Sequence, residues 1–564
     1  MNSPHILVVI PARGGSKGIP RKNLRILHGK PLIYYSIQNG LRSRFRPDVV
    51  VSSEDREILT MAEKFGAQIH QRPEKLADDV TTLDPVIYNA YKETSKKSGK
   101  DYQFIITLQP TSPLLKVESL DMAIKRMIDE PSFHTIISAT NDTHLTWRKE
   151  DGMFLPNFTE RVNRQQLTPT YKETGSFLIC RSDVISESSR IGESVDLFLL
   201  NGAEQIDIDS HEDWNLCEYY LARKKVLFVV SGYPEIGMGH VYNTLMLADE
   251  LVAHGVTFLV DGKSDLAFNK ISQTHYKLFK QEHTDIAEDI NKINPDLIIN
   301  DRLDTTEQYM SSIQKKGRLI VNIEDLGAGA DMADMLINAM YPEKHDEEHH
   351  QFSGPKYFCL RPEFLYSEPV KNIKKEVKNV LLCFGGVDPN NLTAKTVASI
   401  YDYCQQHVID ITVVAGLGYE NIDSLGEWTN LTVYRDVAHL SELMASADLI
   451  FTSAGRTTFE VASMGIPGIV MAQNSRELTH AFASPENGFC TLGLGAEITE
   501  KEILENFRSL VENVKLREEM HQQLLSQDVK SGRKRVVQLI ETLLRGEQAH
   551  DFAYLSSDIS KEKR

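Results

Sequence analysis

The six cysteines stand at positions 180, 217, 359, 383, 404 and 490, and none forms a CxxC pair. A zinc knuckle or a disulfide framework needs such clustering, so neither is expected, and a reducing cytoplasm fits. Positive charge is in deficit: 62 Lys and Arg face 79 Asp and Glu, a net charge of −17. An acidic chain repels phosphate backbones at long range, so nucleic acid is not an expected partner. Small anions still bind wherever basic residues cluster locally. Long apolar runs are missing too. The opening run Ile6–Ile10 is too short for a signal-peptide core and is soon followed by Arg13. No stretch approaches the ~20 apolar residues of a membrane span. What remains is 564 residues, 41% hydrophobic and 25% charged. That composition is globular rather than disordered, and the length suggests three or four folding units of ~150 residues.

The first third alternates strand-like and helix-like patterns. Residues 5–10 form a β-branched apolar run, a Gly/Lys-rich loop follows, and a helix pattern begins at Pro31. Val49–Val51 and Phe104–Leu108 read as further strands, residues 54–65 as a helix, 205–208 as a closing strand and 210–222 as a closing helix. This βαβ rhythm predicts an α/β fold with a mostly parallel sheet. The pattern restarts at Val226–Val230 and again at Asn379–Phe384, each time followed by a glycine loop. Three units are therefore expected, over 1–223, 226–369 and 378–545, with a polar, charged and frayed tail at 546–564.

The segment from Pro11 to Asn23 directly follows the first strand. Gly14 and Gly15 let backbone N–H groups approach a phosphate, with Ser16 beside them. Arg13, Lys17 and Lys22 supply positive charge for a triphosphate. Asp207 and Asp209 are two residues apart, so an extended strand points both to one face, where two carboxylates suit Mg²⁺.

These residues carry a resemblance to the acylneuraminate (CMP-sialic acid) cytidylyltransferases. Gln109-Pro110-Thr111-Ser112-Pro113-Leu114 resembles the family's second nucleotide segment, Arg164-Gln165-Gln166 its sugar-acid segment and Ile206-Asp207-Ile208-Asp209 its metal segment. The resemblance implies a Rossmann-like, glycosyltransferase-A-like nucleotidyltransferase domain. It implies attack by the anomeric hydroxyl of a nonulosonic acid on the α-phosphorus of CTP, with CMP-sugar and pyrophosphate as products. By the same resemblance, Arg13, Lys17, Lys22 and Asp209 are catalytic. Gly14, Gly15, Ser16, Asn23, Gln109, Thr111 and Ser112 bind nucleotide, Arg164, Gln165 and Gln166 hold the sugar acid, and Asp207 with Asp209 hold Mg²⁺. A homodimer is expected by analogy. Leu115 and Thr174 stand where relatives commonly have Arg and Asn.

In the second part, Gly237-Met238-Gly239-His240 precedes a helix with an apolar stripe at Val241, Leu245, Ala248, Leu251 and Val252. Such a corner favours anions, and His240 is placed to act as a base or merely to cap the helix. Gly385-Gly386 follows the strand that opens the third unit. Ser453–Glu460 follows another apolar run: Gly455 and Thr457 offer donors to a diphosphate, and Glu460 offers acceptors to ribose hydroxyls. This set resembles the nucleotide-sugar hydrolase of pseudaminic acid biosynthesis and, more loosely, the glycosyltransferases of its two-lobed (glycosyltransferase-B) fold. The resemblance implies two Rossmann-like lobes with a UDP-sugar between them and His240 as the catalytic base, with no metal required. The chain departs from the hydrolases at Asn243, Ser475 and Glu324-Asp325. Three readings stay open: a hydrolase, a glycosyltransferase, or a non-catalytic nucleotide-sugar-binding module. His345, His349 and His350 lie in a charged stretch that reads as solvated loop.

Overall fold

The computed structural model describes residues 4–546 except 16–17, 79, 234–235, 347–350, 417, 427, 436 and 438. Ser16, Lys17, His349, His350 and all but the first residue of the expected tail thus lie outside the described residues. Residue contacts divide the chain into two compact units, Met1–Arg223 and Lys224–Arg564.

The first unit is built on a seven-stranded sheet. From one edge to the other its strands are Val195–Leu199, Thr135–Asn141, Tyr171–Arg181, Phe104–Leu108, Ile6–Pro11, Asp48–Ser53 and Gln68–Gln71. All run parallel except Tyr171–Arg181, which is antiparallel to both neighbours. Leu7, Val8, Val9 and Ile10 are completely buried, as expected of a β-branched strand covered on both faces. The pairing of Tyr171–Arg181 slips between Glu173 and Leu178, and Gly175 adopts φ +73° within that irregularity. Bulges of this kind bend a strand beside a functional site. The expected strand at 205–208 is absent. A 3₁₀ turn, Gly202–Gln205, leads instead into an extended segment, and Ile208 N donates to Thr111 O at 2.8 Å. Its apolar alternation resembles a strand, but it lies outside the sheet. The helix that follows is His211–Ala222, capped by Ser210 accepting from Asp213 N.

The second unit contains two sheets. The first runs Lys277–Lys280, Gly255–Val260, Lys225–Val230, Leu297–Asp301, Leu319–Ile323, Met335–Asn338 and Gln351–Ser353, with His345–Asp346 as an antiparallel edge. The second runs Leu431–Arg435, Asp410–Ala415, Asn379–Cys383, Leu449–Thr452, Gly468–Ala472 and Phe489–Leu494, all parallel. Counted in chain order, six consecutive strands of each sheet follow the sequence 3-2-1-4-5-6. That is the doubly wound order, in which ligands bind beyond the strand ends where strands 1 and 4 diverge. The unit is thus a pair of Rossmann-like lobes on the glycosyltransferase-B plan. The two lobes share one apolar core cluster, which joins Val226 and Phe258 to Leu381 and Phe459.

The last helix, Gly532–Arg545, leaves the second sheet and packs on the first lobe. Gly532 sits so close to Phe358 that a Cβ would lie 2.1 Å from its carbonyl oxygen. Arg535 donates to Lys356 O at 2.5 Å, and Glu541 meets His254 at 3.2 Å. The stretch 378–545, read along the chain as one lobe, therefore ends in a helix that completes the other.

Candidate functional sites

In the first unit, strands 1 and 4 are Ile6–Pro11 and Phe104–Leu108, and they are neighbours. The basic loop and the Gln109–Ser112 segment leave the sheet side by side. Lys22 opens a short 3₁₀ turn, Lys22–Leu24, and its ammonium crosses to the metal segment. It donates to Ile208 O at 2.6 Å and lies 3.6 Å from Asp209 Oδ1. Asn23 turns inward and donates to Arg13 O at 2.9 Å, which braces the loop.

Asp207 Oδ1 is buried without a hydrogen-bond partner, and so are Thr111 Oγ1 and Ser112 Oγ. Burial raises the pKa of Asp207 and the charge of Asp209 pushes the same way, while the Thr111 hydroxyl beside it and, less strongly, Lys22 oppose them. Asp209 itself is open to solvent, its side chain 83% exposed. An orphaned carboxylate oxygen beside a second, solvated carboxylate fits a divalent ion that binds hard oxygens and keeps several waters. Among the described residues no group of three or more His, Cys, Asp or Glu side chains converges as a metal cage. Gly175 closes this corner: a Cβ there would stand 3.1 Å from Asp207 Oδ2 and 3.2 Å from Gln109 Nε2.

Three placements differ from the linear reading. Gly14 N donates to Glu54 Oε1 at 2.7 Å, so a protein carboxylate takes the amide expected to meet phosphate. Gly14 is needed for another reason, since a Cβ would lie 2.6 Å from Asp55 Oδ2, while at Gly15 a Cβ meets nothing. Arg164, Gln165 and Gln166 form an exposed 3₁₀ turn tied to the end of a strand by Arg164 donating to Asn141 O at 3.4 Å. The chain reading passed over Arg72. It is 5% exposed, donates to Ser52 O at 2.7 Å and lies 3.7 Å from Glu54. Burial depresses its pKa, Glu54 counters this, and Arg13 presses it down further.

In the second unit the helix Gly239–Glu250 begins just beyond strand 1, and Asp301 ends strand 4. Topology therefore places His240 against Asp301, whose Oδ1 pairs with His240 Nδ1. Asp301 is completely buried. A buried carboxylate on Nδ1 fixes the ring and directs Nε2 outward, the arrangement of an oriented base. Asn243 Nδ2 donates to the other oxygen, Oδ2, at 2.7 Å. Glu324, in the left-handed region at φ +54°, accepts from Ala339 N at 3.0 Å and Met340 N at 3.4 Å. Burial pushes its pKa up to about 7, against the pull of Arg456 and with added repulsion from Asp301.

In the other lobe, Gly385 and Gly386 follow strand 1 of the second sheet, and Ser453–Arg456 follows strand 4. Gly385 takes φ +88°, and Gly386 O accepts from Gly418 N at 2.9 Å. Gly455 leads into the helix Thr457–Met464, so Thr457 stands at its first turn. Glu460 is not open to a ribose. It is 6% exposed and paired with Arg361 Nε at 2.6 Å. Burial opposes the charge of Arg361, but Glu460 outweighs it and raises the guanidinium pKa. A helix-borne glutamate reads the same whether it faces a ligand or an arginine 99 positions away.

Residues 7–199 match the family described as cytidylyltransferase. The pseudaminic acid cytidylyltransferase of Campylobacter jejuni subsp. jejuni serotype O:2 is 34% identical over 215 residues, spanning 37% of this chain and 92% of that protein. The chain belongs to the cytidylyltransferase family. An uncharacterized protein of Methanocaldococcus jannaschii is 33% identical over 273 residues, which cover 44% of this chain and 56% of that protein's length. Among solved structures, MurG of Acinetobacter baumannii aligns with 57% of this chain and 99% of its own, at 14% identity and a TM-score of 0.41.

In this cytidylyltransferase Lys22, Gln109, Thr111, Asp207 and Asp209 lie close together beyond the ends of strands 1 and 4 of the first sheet. The partner that orients His240 was missed. Asp301 pairs with it from a strand 61 positions on, and that spacing leaves no periodic signal. Among the described residues no helix is long and apolar enough to cross a membrane.

Proposed function

We propose that the first unit transfers CMP from CTP to a nonulosonic (sialic-acid-like) sugar acid. The anomeric hydroxyl oxygen attacks the α-phosphorus in line, the bond to the β-phosphate oxygen breaks, and pyrophosphate leaves. The convergence of Lys22, Asp207 and Asp209 beside the basic loop carries this reading, and the relative active on pseudaminic acid supports the substrate class. Lys22, anchored on Ile208 O, holds its charge next to Asp209. Asn23 fixes the loop backbone at Arg13, so Arg13 meets the triphosphate from a set position. Arg164 is assigned to the sugar carboxylate with Gln165 and Gln166, Gln109 to the nucleotide, and Lys17 and Ser16 to the phosphates. Phosphoryl chemistry of this kind is mostly positioning and electrostatics. Magnesium, held by Asp207 and Asp209, would neutralise phosphate charge and acidify the attacking hydroxyl. A homodimer belongs to this reading. The hairpin Trp147–Glu150/Met153–Pro156 leaves Trp147, Met153 and Phe154 53%, 64% and 69% exposed, a surface suited to a second copy.

The test offers CTP with a panel of nonulosonic acids and measures pyrophosphate and product mass. Product from one of them, lost on Asp209→Ala, is expected. Full activity in Asp209→Ala removes that residue from the mechanism, and failure of the whole panel removes the substrate class.

We further propose that the second unit is a UDP-sugar hydrolase, with UDP on the Gly385-Gly386 and Gly455-Thr457 loops and His240 activating water at the anomeric carbon. The pairing of His240 with buried Asp301, opposite those loops, supports it. UDP released from a UDP-diacetamido-sugar without acceptor is the expected result, abolished by His240→Ala. Release only with an acceptor would make the unit a glycosyltransferase, and tight UDP binding without release a binding module.

A further inference from the structure

Arg456 stands where the Gly455 loop becomes a helix, yet its side chain leaves that lobe. Its Nη2 donates to Asn243 Oδ1 at 3.1 Å and to Cys359 O at 3.3 Å. Asn243 Nδ2 donates to Asp301 Oδ2 at 2.7 Å, and Asp301 Oδ1 pairs with His240 Nδ1. An unbroken chain of contacts thus links the loop assigned to diphosphate with the imidazole assigned as base.

The polarity of this chain is fixed by chemistry. A guanidinium only donates and a carboxylate only accepts, so the carboxamide between them has one workable orientation. Without Arg456 the amide is free to turn, and a turned amide would set its oxygen against the buried Asp301 carboxylate. The path is also built for this arginine. A Cβ on Gly239 would lie 2.9 Å from Arg456 Cδ, so the glycine before His240 makes room for the arginine stem. The guanidinium rests 4.5 Å from the centre of the Phe358 ring. Phe358 stacks on Phe459 at 3.7 Å, which stacks on Phe482 at 3.9 Å. The arginine therefore has a rigid aromatic platform.

We propose that Arg456 is a positioning residue that couples nucleoside diphosphate on the Gly455 loop to the setting of His240, through Asn243 and Asp301. The proposal rests on reading this unit as a sugar-nucleotide site. A diphosphate at the loop competes for the guanidinium, and an arginine–phosphate pair is stronger than a bond to a neutral amide. Occupancy then draws Arg456 off Asn243, loosens the amide and changes the hydrogen bonding of Asp301 to the imidazole. The histidine meets one setting when the site is empty and another when nucleotide has arrived.

The test uses the full chain labelled with ¹⁵N-histidine, UDP as probe, and the His240→Gln spectrum to assign the imidazole resonances. Saturating UDP is expected to shift the His240 signals in the wild type. Asn243→Ala and Arg456→Lys should each cut that shift at least threefold at saturating UDP. Arg456→Lys keeps the charge but loses the planar guanidinium whose Nη2 reaches both Asn243 and Cys359. A role confined to packing would lower stability and leave the UDP-induced shift intact. A wild-type shift retained in either variant, or no shift in wild type that binds UDP, overturns the coupling alone. Wild type that does not bind UDP overturns the sugar-nucleotide reading and the coupling with it.

Discussion

Glu324 gives the second unit a stability that depends on pH in a calculable way. Its carboxyl is 6% exposed, and burial pushes its pKa from 4.5 to about 7. The folded state therefore binds this proton more tightly than the unfolded chain does. The stabilisation is fully present below pH 4.5 and is lost as pH rises through about 7. At about 1.4 kcal/mol per pH unit, the loss between pH 4.5 and 8 amounts to about 3 kcal/mol. Glu324→Gln keeps the shape and removes the titration. Its amide faces a backbone N–H where an oxygen stood, a fixed cost that cancels when two pH values are compared. Urea unfolding is read from Trp428, packed 3.9 Å from Tyr401, with the other two tryptophans, Trp147 and Trp214, changed to Phe. Because the lobes share one core, this reporter follows the unit that contains Glu324. From pH 4.5 to 8 the wild type should lose about 3 kcal/mol more than the variant. Parallel pH profiles for the two proteins would refute the assignment of a proton to Glu324.

Three further outcomes follow from close contacts. Lys22→Ala removes the ammonium shared by Ile208 O and Asp209, and kcat/KM for CTP should fall by about 10²–10³, measured by pyrophosphate release. Gly175→Ala adds a methyl 3.1 Å from Asp207 Oδ2 at φ +73°, so it should cost about 1–2 kcal/mol of stability and at least tenfold in nucleotidyl transfer; unchanged kinetics would count against the Asp207–Gln109 corner as part of the site. Gly532→Ala forces a methyl to 2.1 Å from Phe358 O and should destabilise the second unit by about 3 kcal/mol; wild-type urea resistance would show that the last helix does not hold the lobe.

Much of the architecture can be read from short stretches. Val226–Val230 and Phe104–Leu108 are strands because β-branched and aromatic residues in a continuous apolar run bury best in a covered parallel sheet. The alternation at 205–208 misled, because an extended segment against a buried face shows the same pattern whether or not it joins the sheet. The basic loop after the first strand stood out because its glycines and cations lie within about a dozen positions, but the pattern did not show that Glu54 takes the Gly14 amide.

Partnership over distance is another matter. Asn243 was visible only as a departure from relatives; its meaning comes from Asp301, 58 positions on, and Arg456, 213 positions on. Glu460 looked available to a ligand until Arg361 was found against it. Local pattern dictates which segments become strands and helices, because hydrogen bonding and burial of one face depend on neighbours in the chain. The pairing of charges at the strand ends depends on sheet order, which sets strands 1 and 4 side by side however much chain runs between them.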